Sequence, residues 1–226
     1  MERYKKNPYT SFEVMKMKRL INYLIGLNVL VLGITLNTRS LLGVSAFTTL
    51  PYALKEMTPI SFGVANIILY MVLVVAQLLI ERKMKLDILL EVPFSFIMGY
   101  ILDLYQIVIP ASPESLGLRI VILLAGNVCT AFGVYTMVQS HLVLAPVDGV
   151  NLSLSNHDHT AYSLCKNCFD ITMIVSTIIL CLVTRLPLYG IGVGTIFSAL
   201  CVGRIIKWLE IKQFRQYEMT RRKQKK

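Results

Sequence analysis

Charge is what this sequence has least of. Only 16% of its 226 residues are Asp, Glu, Lys or Arg, while 55% are apolar; a soluble domain is usually about 25% charged. The shortage is concentrated. Residues 62–80 run for 19 positions without one charge. As a helix, such a run rises about 28 Å, close to the roughly 30 Å hydrocarbon core of a bilayer. Further runs of the same kind follow it. A soluble enzyme, a disulfide scaffold and a disordered chain are all excluded by this pattern, and a polytopic membrane protein remains.

Cysteine is also scarce, and odd in number. Cys129, Cys165, Cys168, Cys181 and Cys201 fall mostly within apolar runs, where they read as small buried hydrophobes rather than as a disulfide framework. The first apolar run begins at Leu20 without a small-residue cleavage site behind a short hydrophobic region, so no cleavable signal peptide is expected.

What charge there is gathers at the termini. The net charge is +10. Residues 1–19 hold six basic and two acidic residues, and residues 204–226 hold nine basic and two acidic. The long stretch between them is nearly neutral. No segment could fold into a soluble module presenting a basic face to DNA, so no nucleic-acid partner is expected. Retention of both termini in the cytoplasm, beside anionic lipid, accounts for the excess.

Six spans are expected, at 20–38, 62–80, 88–108, 118–140, 167–184 and 186–208. Lys16, Lys18 and Arg19 precede the first, Arg82, Lys83 and Lys85 fill the link after the second, and Lys207, Lys212 and Arg215 end the last. The opposite loops hold only Arg39, Lys55, Arg119 and Arg185. The positive-inside rule therefore places both termini in the cytoplasm and the chain in the cell membrane.

Sliding the chain against itself exposes a repeat. At an offset of 100, Gly33 meets Gly133, Ser40 meets Ser140, Leu54 meets Leu154, and Ser61-Phe62 meets Ala161-Tyr162. With four more residues inserted, Gly99 meets Gly203. The fold class read from this is all-α, with six transmembrane helices as two three-helix repeats at 20–110 and 111–210. A basic segment at 1–19 and a basic tail at 211–226 flank them. Three spans per unit make the second copy enter the membrane from the opposite side, so the repeats are inverted. Halves of opposite orientation can exchange inward-open and outward-open states around one central site; a duplication that only builds a symmetric core is the plainer reading. The segments 39–60 and 141–160 are too polar for spans and too apolar for ordinary loops. Matching interruptions of this kind point to a transporter's central site.

The Gly33 helix, the polar stretch Ala145-Pro146-Val147-Asp148-Gly149, Lys166 with Phe169-Asp170, and Gly190-Ile191-Gly192-Val193-Gly194-Thr195 with Val202-Gly203 resemble the YczE/YyaS/YitT family of bacterial integral membrane proteins. The resemblance runs from about residue 20 to 208. In the first repeat the family's Gly-x-Ser-Pro stands as Gly43-Val44-Ser45-Ala46. It implies compartment and class, but names no substrate.

Candidate site residues follow from cost. Lys166 and Asp170 are four apart on one helix face and can pair, or can serve a solute or a proton. Asp148 lies between Pro146 and Gly149, with Asn151 and Ser153 beyond, a set of donors and acceptors suited to a small polar ligand; a turn closed by an Asx bond is the plainer reading. Glu91, one turn into the third span, must face protein or water, whereas Asp103, Arg39 and Arg119 fit the outer interface. His157-x-His159 with Cys165-x-x-Cys168 has ligand types suited to zinc, but Cys168 lies on an apolar helix, and no metal or other cofactor is expected. Gly190-x-Gly-x-Gly194 lacks the strand that a dinucleotide loop needs and suits close helix packing. No nucleophile and base stand at a recognisable spacing, so no enzyme is expected. The functional expectation is a small-solute, secondary transporter; the alternative is a membrane-embedded binding or regulatory protein. The partners are the lipid bilayer and a small-molecule solute, and a homo-oligomer is compatible with the chain.

Overall fold

In hydrocarbon every backbone N–H and C=O must pair within its own segment, and the uncharged runs are helical accordingly. The computed structural model describes residues 8–224, so the ends of the two basic segments (1–7 and 225–226) lie outside the described residues. Its helices are α1 (Pro8–Ser40), α2 (Thr49–Met57, entered through a 3-10 turn at Ala46–Thr48), α3 (Phe62–Glu81), α4 (Leu86–Val108), α5 (Leu116–Ser140), α6 (Pro146–Asp158), α7 (Tyr162–Thr184) and α8 (Val193–Gln224). All regular structure among the described residues is helical. Five segments are long and apolar enough to cross a membrane: Lys16–Ser40, α3, α4, α5 and Leu164–Thr184. Their outward faces carry bare apolar side chains, among them Val72, Val75, Leu79, Ile107, Leu182 and Val183, a belt far larger than a soluble surface tolerates. The chain is an all-α integral membrane protein.

The last expected span, 186–208, is corrected by the structure. Helix α8 starts at Val193, leaving 186–192 irregular. Arg185 ends α7 in the left-handed region, at φ 55°, and Pro187 disfavours helix in the residue before it. The freed backbone is used: Val44 N–H donates to the Gly190 carbonyl (2.9 Å) and Gly194 N–H to the Leu42 carbonyl (2.8 Å). The apolar part of α8 is shortened, and Arg204, Lys207 and Glu210 follow within it.

Both interrupted segments break in the same manner. Ser40 and Ser140 bond back to the carbonyls of Asn37 (2.7 Å) and Met137 (2.6 Å). Leu41 (φ 54°) and His141 (φ 52°) then turn left-handed and end α1 and α5. A short irregular stretch leads into α2 and α6, and Pro146 sits in the first turn of α6, where its missing N–H costs nothing. The first half thus breaks without a proline at position 46; Leu41 and Gly43, at φ +127°, make the bend.

The bundle has two ends. One carries α6 and the α3–α4 link; the other carries α2 and the α7–α8 link. The element series α1 to α4 and α5 to α8 pack by corresponding rules. Helix α3 lies on α6 as α2 lies on α7, α2 meets α3 as α6 meets α7, and α1 meets α4 as α5 meets α8. The centre is the antiparallel α1–α5 pair. There a Cβ on Gly33 would strike the backbone of Thr130 and Gly126, and one on Gly133 would strike Leu30 and Gly26. Adding 100 to the first of each pair maps one contact onto the other. One relation is missing: α3 packs along α4, with Gly63 against Gly99, whereas α7 stands off from α8.

The seam makes a direct prediction. Gly33→Leu or Gly133→Leu should cost about 1–3 kcal/mol or more through overpacking and lower the thermal unfolding temperature in detergent. Gly117→Ala, whose Cβ would meet only Ser115 Oγ at 3.8 Å, should leave it unchanged.

Candidate functional site

Where α7 and α8 diverge, a cavity of about 410 Å³ opens toward the α6 end. Its wall is apolar, built by Leu30, Tyr70, Met98, Val134, Val202 and Ile206 from five helices. Gly203 lies in that wall with open space around it, unlike its counterpart Gly99. The polar groups at the cavity are Asp148, Tyr162 and Lys166, with Thr130 on the α1–α5 seam.

Asp148 is held in the first turn of α6, where a carboxylate is favoured by the helix dipole; the turn with an Asx bond is not what forms. Its Oδ1 accepts a hydrogen bond from Tyr162 Oη at 2.8 Å, and Lys166 Nζ stands 3.9 Å from the same oxygen. Burial first, and then the Asp148 charge, push the Tyr162 phenol well above its ordinary range, so it remains a proton donor to the carboxylate. The Lys166–Asp170 contact that the spacing allows is therefore not the ion pair that forms. Asp148 presents its carboxylate from a neighbouring helix, and Asp170 Oδ1 is left buried without a protein partner.

Behind Asp148 the cluster deepens. Gly149 has no side chain, and the Glu91 carboxylate and the Gln77 amide occupy the space that a Cβ would take. Glu91 is 2% exposed and faces protein rather than lipid. Its Oε2, Gln77 Oε1 and Tyr23 Oη lack protein partners. Asn151 is fully buried with both amide atoms unpartnered, while Ser153 is buried nearer the Glu81 end of α3. Each such group costs roughly 1–3 kcal/mol when left unpaired, so this concentration is a signature of a polar site rather than of a core.

Asp148, Lys166, Asp170 and Glu91 are thus brought to one end of the bundle, and Asn151 and Ser153 follow on α6. The remaining candidates have structural partners. Asp103 accepts from Gly63 N–H (2.7 Å) and from Ser61 Oγ, closing the first turn of α3. Arg39 bonds the Gln106 carbonyl, and Arg119 the Pro113 carbonyl. His157 pairs with Asp158 (2.7 Å), Cys165 is buried and Cys168 exposed, and no three potential ligands converge among the described residues. Sequence reasoning missed Tyr162, Gln77, Tyr23 and Thr130. Tyr162 alone carried a signal, as the polar counterpart of Phe62 in the repeat.

At the other end lies a second cavity of about 320 Å³, bounded by Asn37, Tyr52, Glu56 and the Gly190–Gly192 backbone. Burial, then the neighbouring Glu56, push the Tyr52 phenol up to about 12.

A double-mutant cycle tests the Asp148 arrangement. Tyr162→Phe and Asp148→Asn should show a coupling of about 1 kcal/mol, as a partly exposed bond to a charged group allows. Because the phenol's folded value is raised, the phenol's stabilisation should be constant below pH about 10 and fall progressively as the pH rises above it. Thermal unfolding of wild type and Tyr162→Phe across pH 6–11 checks the sign.

A model of a family of unknown function, DUF6198, matches residues 17–211. The chain is also 26% identical over 187 residues to the uncharacterized protein YyaS of Bacillus subtilis (strain 168), covering 81% of this chain and 88% of that one. No solved structure matches it significantly. The matched region takes in both interrupted segments, the cavity wall and every residue of the Asp148 cluster, and the chain belongs to the DUF6198 family.

Proposed function

We infer that the protein is a small-solute transporter of the secondary type, whose solute site is the cavity beneath Asp148. The reading takes α8 as a sixth span, the two element series as inverted three-helix repeats, and both termini as cytoplasmic within the cell membrane. It extends the kinship with YyaS to the wider YczE/YyaS/YitT group. The α6 end is then the cytoplasmic end.

One observation carries it. The two series correspond in nearly every packing relation, and the cavity lies where they differ, with α3 closed on α4 and α7 parted from α8. Two halves of one design, held in unlike conformations around a polar cluster, are what alternating access requires. Asp148, Lys166, Asp170 and Glu91 would bind the solute or a coupling proton, with Asn151 and Ser153 supplying neutral donors and acceptors. The proposed partners are lipid and solute, and the proposed role is a carrier rather than an enzyme. A membrane-embedded binding or regulatory protein would use the same cavity without the exchange.

Comparison of metabolites accumulated by cells with and without the protein should identify the solute. Its uptake into proteoliposomes should then be protein-dependent, and Asp148→Asn should change affinity or pH dependence without unfolding the chain. Thermal stabilisation by the solute with no uptake would favour the binding protein instead.

The glycines give a second check. Gly99→Leu should destabilise the protein, since a Cβ there already meets Ile67 Cγ1 at 2.5 Å and the Gly63 carbonyl at 2.9 Å. Gly203→Leu should leave thermal stability unchanged and abolish uptake by holding α7 and α8 apart.

A further inference from the structure

The two cavities lie on opposite ends of the α1–α5 seam and nearly meet. Leu30 lines one and Asn37 the other, seven residues or about 10 Å apart along α1. Between them the seam is polar. Asn37 Nδ2 donates to Asn127 Oδ1 (3.4 Å) and lies 3.5 Å from Ser45 Oγ. Asn127 is one turn from Thr130 on the same face of α5, and Thr130 lines the cavity beneath Asp148.

All three side chains are 1% exposed. Each keeps a polar atom without a protein partner: Asn37 Oδ1, Asn127 Nδ2 and Thr130 Oγ1. An acceptor, a donor and a hydroxyl therefore stand in sequence from one cavity to the other. Glycine makes room for them, since Asn37 Oδ1 rests on Gly126 and Thr130 Oγ1 on Gly33. The mirrored part of the seam needs no such groups. There Gly26 is covered by Met137, and the counterpart of Asn127 in the repeat is the buried Leu27. Packing alone is thus satisfied by apolar residues at an equivalent place, so close approach of the helices does not by itself call for the polar row.

We propose that Asn37, Asn127 and Thr130 form the constriction through which the solute passes between the two cavities, and that this constriction admits uncharged groups able both to donate and to accept hydrogen bonds. The proposal rests on the transporter reading and adds the class of solute to it. The row bears no charge of its own, so an ion would cross it without compensation in a low-dielectric setting, whereas a hydroxyl or carboxamide would exchange its water hydrogen bonds for those of the row.

The test needs no knowledge of the solute. In a chain whose five cysteines are replaced by alanine, Asn127→Cys and, separately, Thr130→Cys are reconstituted in liposomes. They are treated with 2-hydroxyethyl methanethiosulfonate, which is neutral and hydrogen-bonding, or with its trimethylammonium analogue. Rates are normalised to Leu41→Cys, at the exposed edge of the second cavity. The normalised rate with the neutral reagent should exceed that with the cation at least tenfold at both positions, and Asn37→Leu should slow it. Equal rates would overturn the selectivity, and no reaction at either position would overturn the path. Failure of the transporter reading would show separately, as absence of solute uptake by the wild type.

Discussion

Everything in this molecule depends on how closely α1 and α5 approach. Glycines at 26, 33, 126 and 133 remove the side chains that would hold the two backbones apart, and in lipid such small-residue seams substitute for a hydrophobic driving force. The approach fixes the register of the antiparallel pair. That register in turn sets where α4 and α8 lie against its flanks and how α2 and α6 fold back onto α7 and α3. It also determines which polar groups face inward: Asn37, Asn127 and Thr130 sit on the seam because the opposing residue is glycine or its neighbour.

Around this axis the protein concentrates what a membrane interior ordinarily rejects. Carboxylates at 91, 148 and 170 share one end with the ammonium at 166. Burying them is costly unless they pair or serve a ligand. The structure satisfies part of that cost locally, through Tyr162 and Lys166 on Asp148, and leaves the rest with Glu91, Asn151 and Asp170. The repeat-related positions carry no such charges: Thr48 stands for Asp148 and Tyr70 for Asp170. Thr195 replaces Glu91 in the repeat and is consumed by the 190–192 backbone, accepting from Gly192 N–H (3.2 Å) and donating to the Gly190 carbonyl (3.0 Å). Chemistry drawn from both halves has been placed at one end of the bundle, while the shared scaffold serves both ends.

Much of this was legible in the sequence, and for a physical reason. Length without charge identifies a membrane helix almost by itself, so α3, α4 and α5 emerged with small errors at their ends. The breaks near 40 and 140 were legible as polarity in the wrong place, and Asp148, Glu91 and Asn151 as polar residues too costly to be idle. Partner choice was not. The i,i+4 rule offers Asp170 to Lys166, but it sees only one helix, and the carboxylate within ion-pair range of Lys166 comes from α6. The start of α8 was missed because Leu186, Leu188 and Ile191 look like span residues. The backbone around them is instead bonded, through Gly190 and Gly194, to Val44 and Leu42, some 150 positions away, a pairing that no local pattern contains. Thr130 was overlooked since a lone hydroxyl in an apolar run carries no signal until its neighbours in space are known, and Tyr162 carried only the signal of standing where the other repeat has Phe62.

The central claim is that the two halves exchange conformations, and interhelical distances test it most directly. Spin labels at Leu164 and Trp208 report the separation of α7 from α8, and labels at Val64 and Leu104 report the equivalent separation of α3 from α4; all four positions are exposed. Double electron–electron resonance in lipid should resolve two populations for each pair, with the short α7–α8 distance accompanying the long α3–α4 distance and solute shifting both in opposite senses. A single, solute-independent distance for both pairs would contradict the account.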